Sequence, residues 1–225
     1  MPLEKPCLQH QLKAVPRERF KMSEIFECGI INTGAGNLTS LHQAILSIGL
    51  TAVIINDAED FNKINFEKIL IPGQGRFGTV MNTLEQKGLS PLLQQWHQQQ
   101  KSIFGICVGM QIFFEGSDED KQSSGFGWMQ GRAEALAFPK RPMVGWCAVD
   151  PVNTSETTAP TFIKTGNAYF VNSFAVRAAK FEIATTEYGE KFSSAVKKGN
   201  LIGVQFHPEK SSTYGLEVIK KCLDY

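Results

Sequence analysis

The stretch Ser102-Ile103-Phe104-Gly105-Ile106-Cys107-Val108-Gly109-Met110-Gln111 decides the reading of this chain. A short apolar run ends on a cysteine bracketed by glycines, and a helical pattern follows. That order predicts a buried β-strand, an abrupt turn and a helix over 109–115. A strand-to-helix turn forces its central residue into a strained conformation that lifts the side chain clear of the backbone. Glycines two residues before and two after remove the Cβ atoms that would clash. A thiol there lies near a helix N-terminus, whose dipole favours the thiolate. The pentapeptide equally suits an inert buried cysteine whose glycines only let helix and sheet approach.

The same alternation extends outward. Cys28–Asn32 stops at Thr33-Gly34-Ala35-Gly36, and Leu38, Leu41, Ile45 and Ile48 then form a helical stripe ending at Gly49. Thr51–Ile55 reads as a strand rich in β-branched residues. Lys68–Ile71 is another, closed by Pro72-Gly73-Gln74-Gly75, and Phe77, Val80, Met81 and Leu84 make the next stripe, stopped at Gly88. A polar-faced helix over Leu89–Gln100 leads into the Ser102–Ile106 strand. Strands alternating with helices predict a mostly parallel open sheet covered on both faces.

After residue 125 strand-like runs follow one another without long helices: Met143–Val149, Ala168–Val176, Glu182–Thr186, Phe192–Val196 and Leu201–Phe206. They are expected to add antiparallel strands at one side, before a last helix over Tyr214–Leu223. The fold class is α/β, flavodoxin-like in plan, with residues 25–225 forming one domain. Residues 1–24 read either as a poorly ordered extension, with Met22 an alternative start, or as a surface segment packed loosely on the fold.

Composition narrows the function. The chain has 225 residues, and 23 basic against 22 acidic residues give a net charge of +1, with no cationic run to suggest nucleic acid or a membrane surface. Hydrophobic residues make up 42%, enough to build a core. No apolar stretch approaches the ~18 residues of a membrane span. Cysteines at 7, 28, 107, 147 and 222 are odd in number and lack Cys-x-x-Cys spacing, which fits neither a disulfide framework nor a structural zinc site. A reducing cytosol, with no metal and no cofactor, is the expectation.

Two more segments carry chemistry. In Val204-Gln205-Phe206-His207-Pro208-Glu209, side chains at i and i+2 of an extended stretch share a face. Glu209 can therefore orient the His207 imidazole, and Pro208 holds residue 207 extended. A nucleophilic cysteine needs such a base, which later protonates the departing nitrogen. A surface turn would also accommodate these residues. Ile71-Pro72-Gly73-Gln74-Gly75-Arg76-Phe77 is glycine-rich at a strand end, where N–H groups can be aimed at a developing oxyanion; it does not match a phosphate-binding loop. His10, His42 and His97 are read as structural or exposed.

Together these segments resemble the class I glutamine amidotransferases, the Cys-His-Glu triad family, and most closely its imidazole glycerol phosphate synthase glutaminase branch. The matching stretches are Gly34–Ser40, Pro72–Phe77, Gly105–Gln111, Phe114–Glu119, Tyr169–Phe174 and Gly203–Glu209, so the likeness covers about residues 27 to 225. It implies Cys107 as nucleophile, His207 as base and acid, and Glu209 as its orienting carboxylate. It implies an oxyanion hole from Val108 N–H and a donor of the Gly73-Gln74-Gly75 loop. L-glutamine would be held by Gln111 and Glu119, with Asn172, Ser173 and Phe174 assisting. It also implies a cytoplasmic heterodimer with a separate (β/α)8-barrel cyclase that receives ammonia, docked near Trp146 and Asn37.

Three departures bear on the partner. The family's His-x-Gly-Trp-Asn is Met143-Val144-Gly145-Trp146-Cys147 here, and Cys147 lacks an amide's two-sided hydrogen bonding. The usual Tyr-Phe-Val-His-Ser-Tyr reads Tyr169-Phe170-Val171-Asn172-Ser173-Phe174, and Asn32 stands where Asp is common. They keep alive a paralogous amidotransferase feeding another acceptor, as in sugar-nucleotide amidination. A silent regulatory subunit and a cysteine peptidase or γ-glutamyl hydrolase are the other readings.

Overall fold

Runs of buried aliphatic residues separated by glycine stops fold into alternating strands and helices. The structure, a computed structural model, describes residues 25–137, 140–153, 163–177 and 180–224; the expected N-terminal extension lies outside the described residues. In chain order the first half gives β1 (Ile25–Ile31), α1 (Leu38–Ser47), β2 (Ala52–Ile55), α2 (Ala58–Lys63), β3 (Asn65–Ile71), α3 (Phe77–Gln86), α4 (Ser90–Gln98), β4 (Ile103–Ile106) and α5 (Val108–Gln111). The second gives β5 (Gly116–Ser117), β6 (Arg132–Ala135), β7 (Met143–Pro151), β8 (Gly166–Asn172), β9 (Phe174–Val176), β10 (Glu182–Glu187), β11 (Lys191–Lys198), β12 (Leu201–Val204) and α6 (Ser212–Asp224).

Among the described residues the large sheet has nine strands in the order β2-β1-β3-β4-β12-β11-β10-β7-β8. Its first five strands pair in parallel and the rest antiparallel, as the two sequence halves predict except at β12, which is expected among the antiparallel strands but pairs in parallel with β4. β12, late in the chain, inserts beside β4 and so closes the parallel half. Every residue of β4 and of β12 is buried. Leu41 and Ile45 of α1, Phe77, Val80 and Leu84 of α3, and Val218 and Ile219 of α6 are buried in the core with them. Each such side chain contributes about 1.5–3 kcal/mol by leaving water.

The structure departs from expectation where local sequence is not what decides. β1 begins ahead of Cys28 because Ile25 and Phe26 pair with Asn65 and Phe66 of β3. α2 has no fully buried residue, hence no stripe to read; the Asp57 carboxylate caps it by accepting from Glu59 N–H and Asp60 N–H. The helix expected over 109–115 stops at Gln111. Beyond it, the carbonyls of Ile112, Phe113 and Phe114 accept from Phe126, Met129 and Gly127, so a later loop takes the groups a helix would use. The run Ala168–Val176 breaks at Ser173, whose carbonyl accepts from Leu136 N–H, and β9 leaves for a three-stranded sheet, β5-β6-β9.

Candidate active site

The register of β4 against β12 places Val204 opposite Ile106, so both chains leave the sheet at the same rim. Cys107 N–H donates to Val204 carbonyl at 2.8 Å, tying the turn to the neighbouring strand. Cys107 itself has φ +54° and ψ −115°, a region costly for a non-glycine residue. The surrounding packing enforces it. A Cβ added at Gly109 would lie 1.9 Å from the Ile71 carbonyl oxygen, and one at Gly73 would lie 2.4 Å from Gly109 N. The strained elbow of the sequence reading is therefore present, and the Gly73–Gly75 loop is packed directly on it.

On the β12 side, Pro208 opens a short 3-10 turn over Pro208–Lys210 that folds Glu209 back towards His207. His207 Nδ1 and Glu209 Oε1 are 2.9 Å apart, with side chains only 2% and 6% exposed. Burial opposes a charged imidazole, but the charge and hydrogen bond of Cys107 outweigh it, and Glu209 adds to them. The His207 pKa rises from its ordinary 6.5 to about 10. At neutral pH the ring holds a proton between a sulfur and a carboxylate. That suits a pair in which the sulfur attacks and the ring then supplies a proton.

β8 forms the facing wall. The Tyr169 carbonyl accepts from His207 N–H at 2.9 Å, and Tyr169 N–H donates to Ser211 Oγ at 2.9 Å. Ser211 Oγ in turn donates to the His207 carbonyl at 2.7 Å. Cys107 Sγ lies 3.9 Å from the Val171 carbonyl. The outer edge of β8 is thus occupied by the elbow and the histidine loop.

Behind the sulfur sits a buried amide network. Gln111 Nε2 donates to Gln205 Oε1 at 2.9 Å and to the Phe174 carbonyl at 3.1 Å. Asn172 Nδ2 donates to that same carbonyl at 3.1 Å, and Asn172 Oδ1 is buried without a partner. Gln205 Nε2 reaches Cys107 Sγ at 3.5 Å. Gln111, Asn172 and Phe174 are therefore brought together, with Ser173 between the last two. Glu119 is held elsewhere on the rim: Phe77 N–H, at the start of α3 just past the Gly73–Gly75 loop, donates to its Oε2 at 2.9 Å. Gln205, given no role in the sequence reading, carried a usable signal: alternation puts it on the same face as His207.

Val108, first residue of α5, has an N–H without an intrahelical acceptor. Gly75 has φ +86°, and Gln74 lies against Gly36, whose added Cβ would meet Gln74 Cγ at 3.6 Å. Asn37 uses its side chain to cap α1, accepting from Ser40 N–H at 3.0 Å. On β7, Val144 and Trp146 are 58% and 54% exposed, and Trp146 stands edge-on to Tyr169 with centroids 6.0 Å apart. Cys147 points the other way, half-buried against the core. His42 contacts the Ala52 carbonyl and His97 packs on Trp128, as structural residues. No metal-binding group of side chains occurs among the described residues, and no helix there is long and apolar enough to cross a membrane.

Comparisons with known proteins place the chain in a family. The family model "Glutamine amidotransferase class-I" matches residues 29–224. The chain is 35% identical to "Imidazole glycerol phosphate synthase subunit HisH" of Shouchella clausii, over 86% of this chain and 95% of that protein. It is 34% identical to the same-named subunit of Chlorobaculum tepidum, over 87% and 98%. Among solved structures, a glutamine amidotransferase superposes with a TM-score of 0.69 at 15% identity, covering 88% of this chain and 97% of that one. PurLQS from Thermotoga maritima superposes with 0.66 at 17% identity, covering 88% and 97%. At those identities the solved structures speak for the fold, and the sequence relatives for descent. Because the family model spans both the Cys107 elbow and the His207 loop, this chain belongs to the class I glutamine amidotransferases.

Proposed function

We propose that the chain is the glutaminase subunit of imidazole glycerol phosphate synthase, acting in histidine biosynthesis. It hydrolyses L-glutamine to glutamate and passes the ammonia to a separate cyclase subunit. The observation that carries the reading is that the Cys107 elbow and the His207 loop leave neighbouring strands at one rim of the sheet, with His207 Nδ1 2.9 Å from Glu209 Oε1. In this mechanism Cys107 attacks the side-chain carboxamide. The oxyanion is held by Val108 N–H and a donor from Gly73, Gln74 or Gly75. His207 gives its proton to the departing nitrogen, ammonia leaves, and water then hydrolyses the thioester with His207 as base. Glu209 holds the ring throughout.

Gln111, Glu119 and the Asn172–Phe174 backbone hold the amino-acid end of glutamine in this reading. Ammonia in water is mostly protonated and no nucleophile, so a shielded route to a second site is required. The exposed Val144 and Trp146 beside the β8 wall support a docking face there for a (β/α)8-barrel cyclase, forming a cytoplasmic heterodimer with Asn37 at its margin. No cofactor takes part. The test is glutamine hydrolysis by wild type and Cys107→Ala, each with and without a candidate cyclase and its nucleotide. Activity that needs Cys107 and rises with the cyclase is the expected result. Hydrolysis that survives Cys107→Ala, or gains nothing from any cyclase, overturns the reading.

A further inference from the structure

We infer that Gln205 is a positioning residue for the nucleophile, donating an amide N–H to the Cys107 sulfur and held in that orientation by Gln111. The inference rests on the Cys107 reading above and deepens it. The polarity of the amide network follows from one fixed group. A backbone carbonyl only accepts, so the Phe174 oxygen requires N–H groups to face it, and Gln111 Nε2 and Asn172 Nδ2 both do. Gln111 therefore turns its NH2 group to Gln205, whose carbonyl oxygen must accept it. The Gln205 NH2 group is left facing Cys107 Sγ, at 3.5 Å.

Both glutamines are buried, Gln111 at 2% and Gln205 at 0% exposure, so water does not compete for these bonds. The other groups on the sulfur are the His207 ring, with Glu209 behind it, and the Val171 carbonyl. Of these only His207 and Gln205 favour a negative sulfur; the carbonyl oxygen repels it. Gln205 thus supplies a neutral donor that does not leave when His207 gives up its proton to the leaving group.

The experiment compares full-length wild type with Gln205→Met, which keeps the length and removes the amide, and with Gln205→Glu. The latter keeps an acceptor for Gln111 but aims a carboxylate oxygen at the sulfur. For each, iodoacetamide alkylation of Cys107 and kcat and KM for glutamine are followed against pH, with Cys107→Ala as the blank. Gln205→Met is expected to move the alkylation midpoint up by about one pH unit, and Gln205→Glu further. kcat is expected to fall and to recover at alkaline pH, with KM nearly unchanged. Rate loss with an unmoved midpoint marks a merely structural residue and overturns the inference.

Should both variants misfold, 15N-glutamine labelling of wild type decides. One side-chain amide signal titrates with the alkylation midpoint and ceases to do so in Cys107→Ala, or the inference is wrong. Glutaminase activity surviving in Cys107→Ala would instead overturn the nucleophile reading, while leaving the amide titration to be judged separately.

Discussion

The parallel half of the sheet and the antiparallel half meet at β12 and differ in what they leave exposed. In β4 and β12 every residue is buried, and the groups that follow them emerge into a packed elbow and a buried three-residue loop, Gln205 to His207. At the far end of the antiparallel half, β7 alternates, turning Val144 and Trp146 to solvent and Met143 and Val149 to the core. Parallel strands need cover on both faces, so only their ends can do work; an antiparallel hairpin has a whole face to offer. The reactive groups stand where motion is most restricted. The exposed aromatic face stands beside them on an element free to meet another surface.

Cys107→Ala gives the sharpest contrast: turnover and labelling by a glutamine-analogue electrophile are expected to fall by at least about a thousandfold. Glu209→Gln keeps the shape but weakens the hold on His207; kcat is expected to drop roughly a hundredfold with a modest change in KM. Gly109→Ala tests whether rigidity belongs to the parallel half, because its new methyl meets the Ile71 backbone oxygen at 1.9 Å. A loss of about 3 kcal/mol in chemical denaturation is expected. A wild-type-like melting curve would refute the packing account of the elbow.

A pH series gives a smaller effect. Since the folded pKa of His207 is raised from 6.5 to about 10, its contribution to stability is complete below pH 6.5 and is lost as pH rises through about 10. Cys107→Ala removes the largest of the raising influences, so the alkaline decline in melting temperature should start at lower pH. The smallest effect on the chain itself is expected from Trp146→Ser, within about 1 kcal/mol of wild type. Its unaided hydrolysis should be unchanged and its response to a cyclase lost.

The elbow was legible because strand, glycine, cysteine, glycine and helix are contiguous, so local sterics specify it. The His207–Glu209 pairing was legible for the same reason: two residues apart across a proline. Gln205 was not read although its neighbour was, because its partners Gln111 and Cys107 are distant in the chain and only the β4–β12 register brings them together. The early end of α5 and the break at Ser173 share that origin: carbonyls claimed by segments 125–131 and 136. Periodicity describes what a segment wants to bury, not which remote N–H will take its oxygen. Cys28, buried in β1, has its pKa pushed up to about 12 by that burial.

One consequence follows from the outer side of β8. A strand at the end of a sheet offers unpaired backbone groups to any passing chain, and proteins guard such borders against intermolecular pairing. Here the guard is the reactive loop itself, because Tyr169 spends its N–H and carbonyl on Ser211 and His207. Damage that lifts this loop would therefore uncover a template for self-association as well as silence the enzyme, linking loss of activity to loss of solubility.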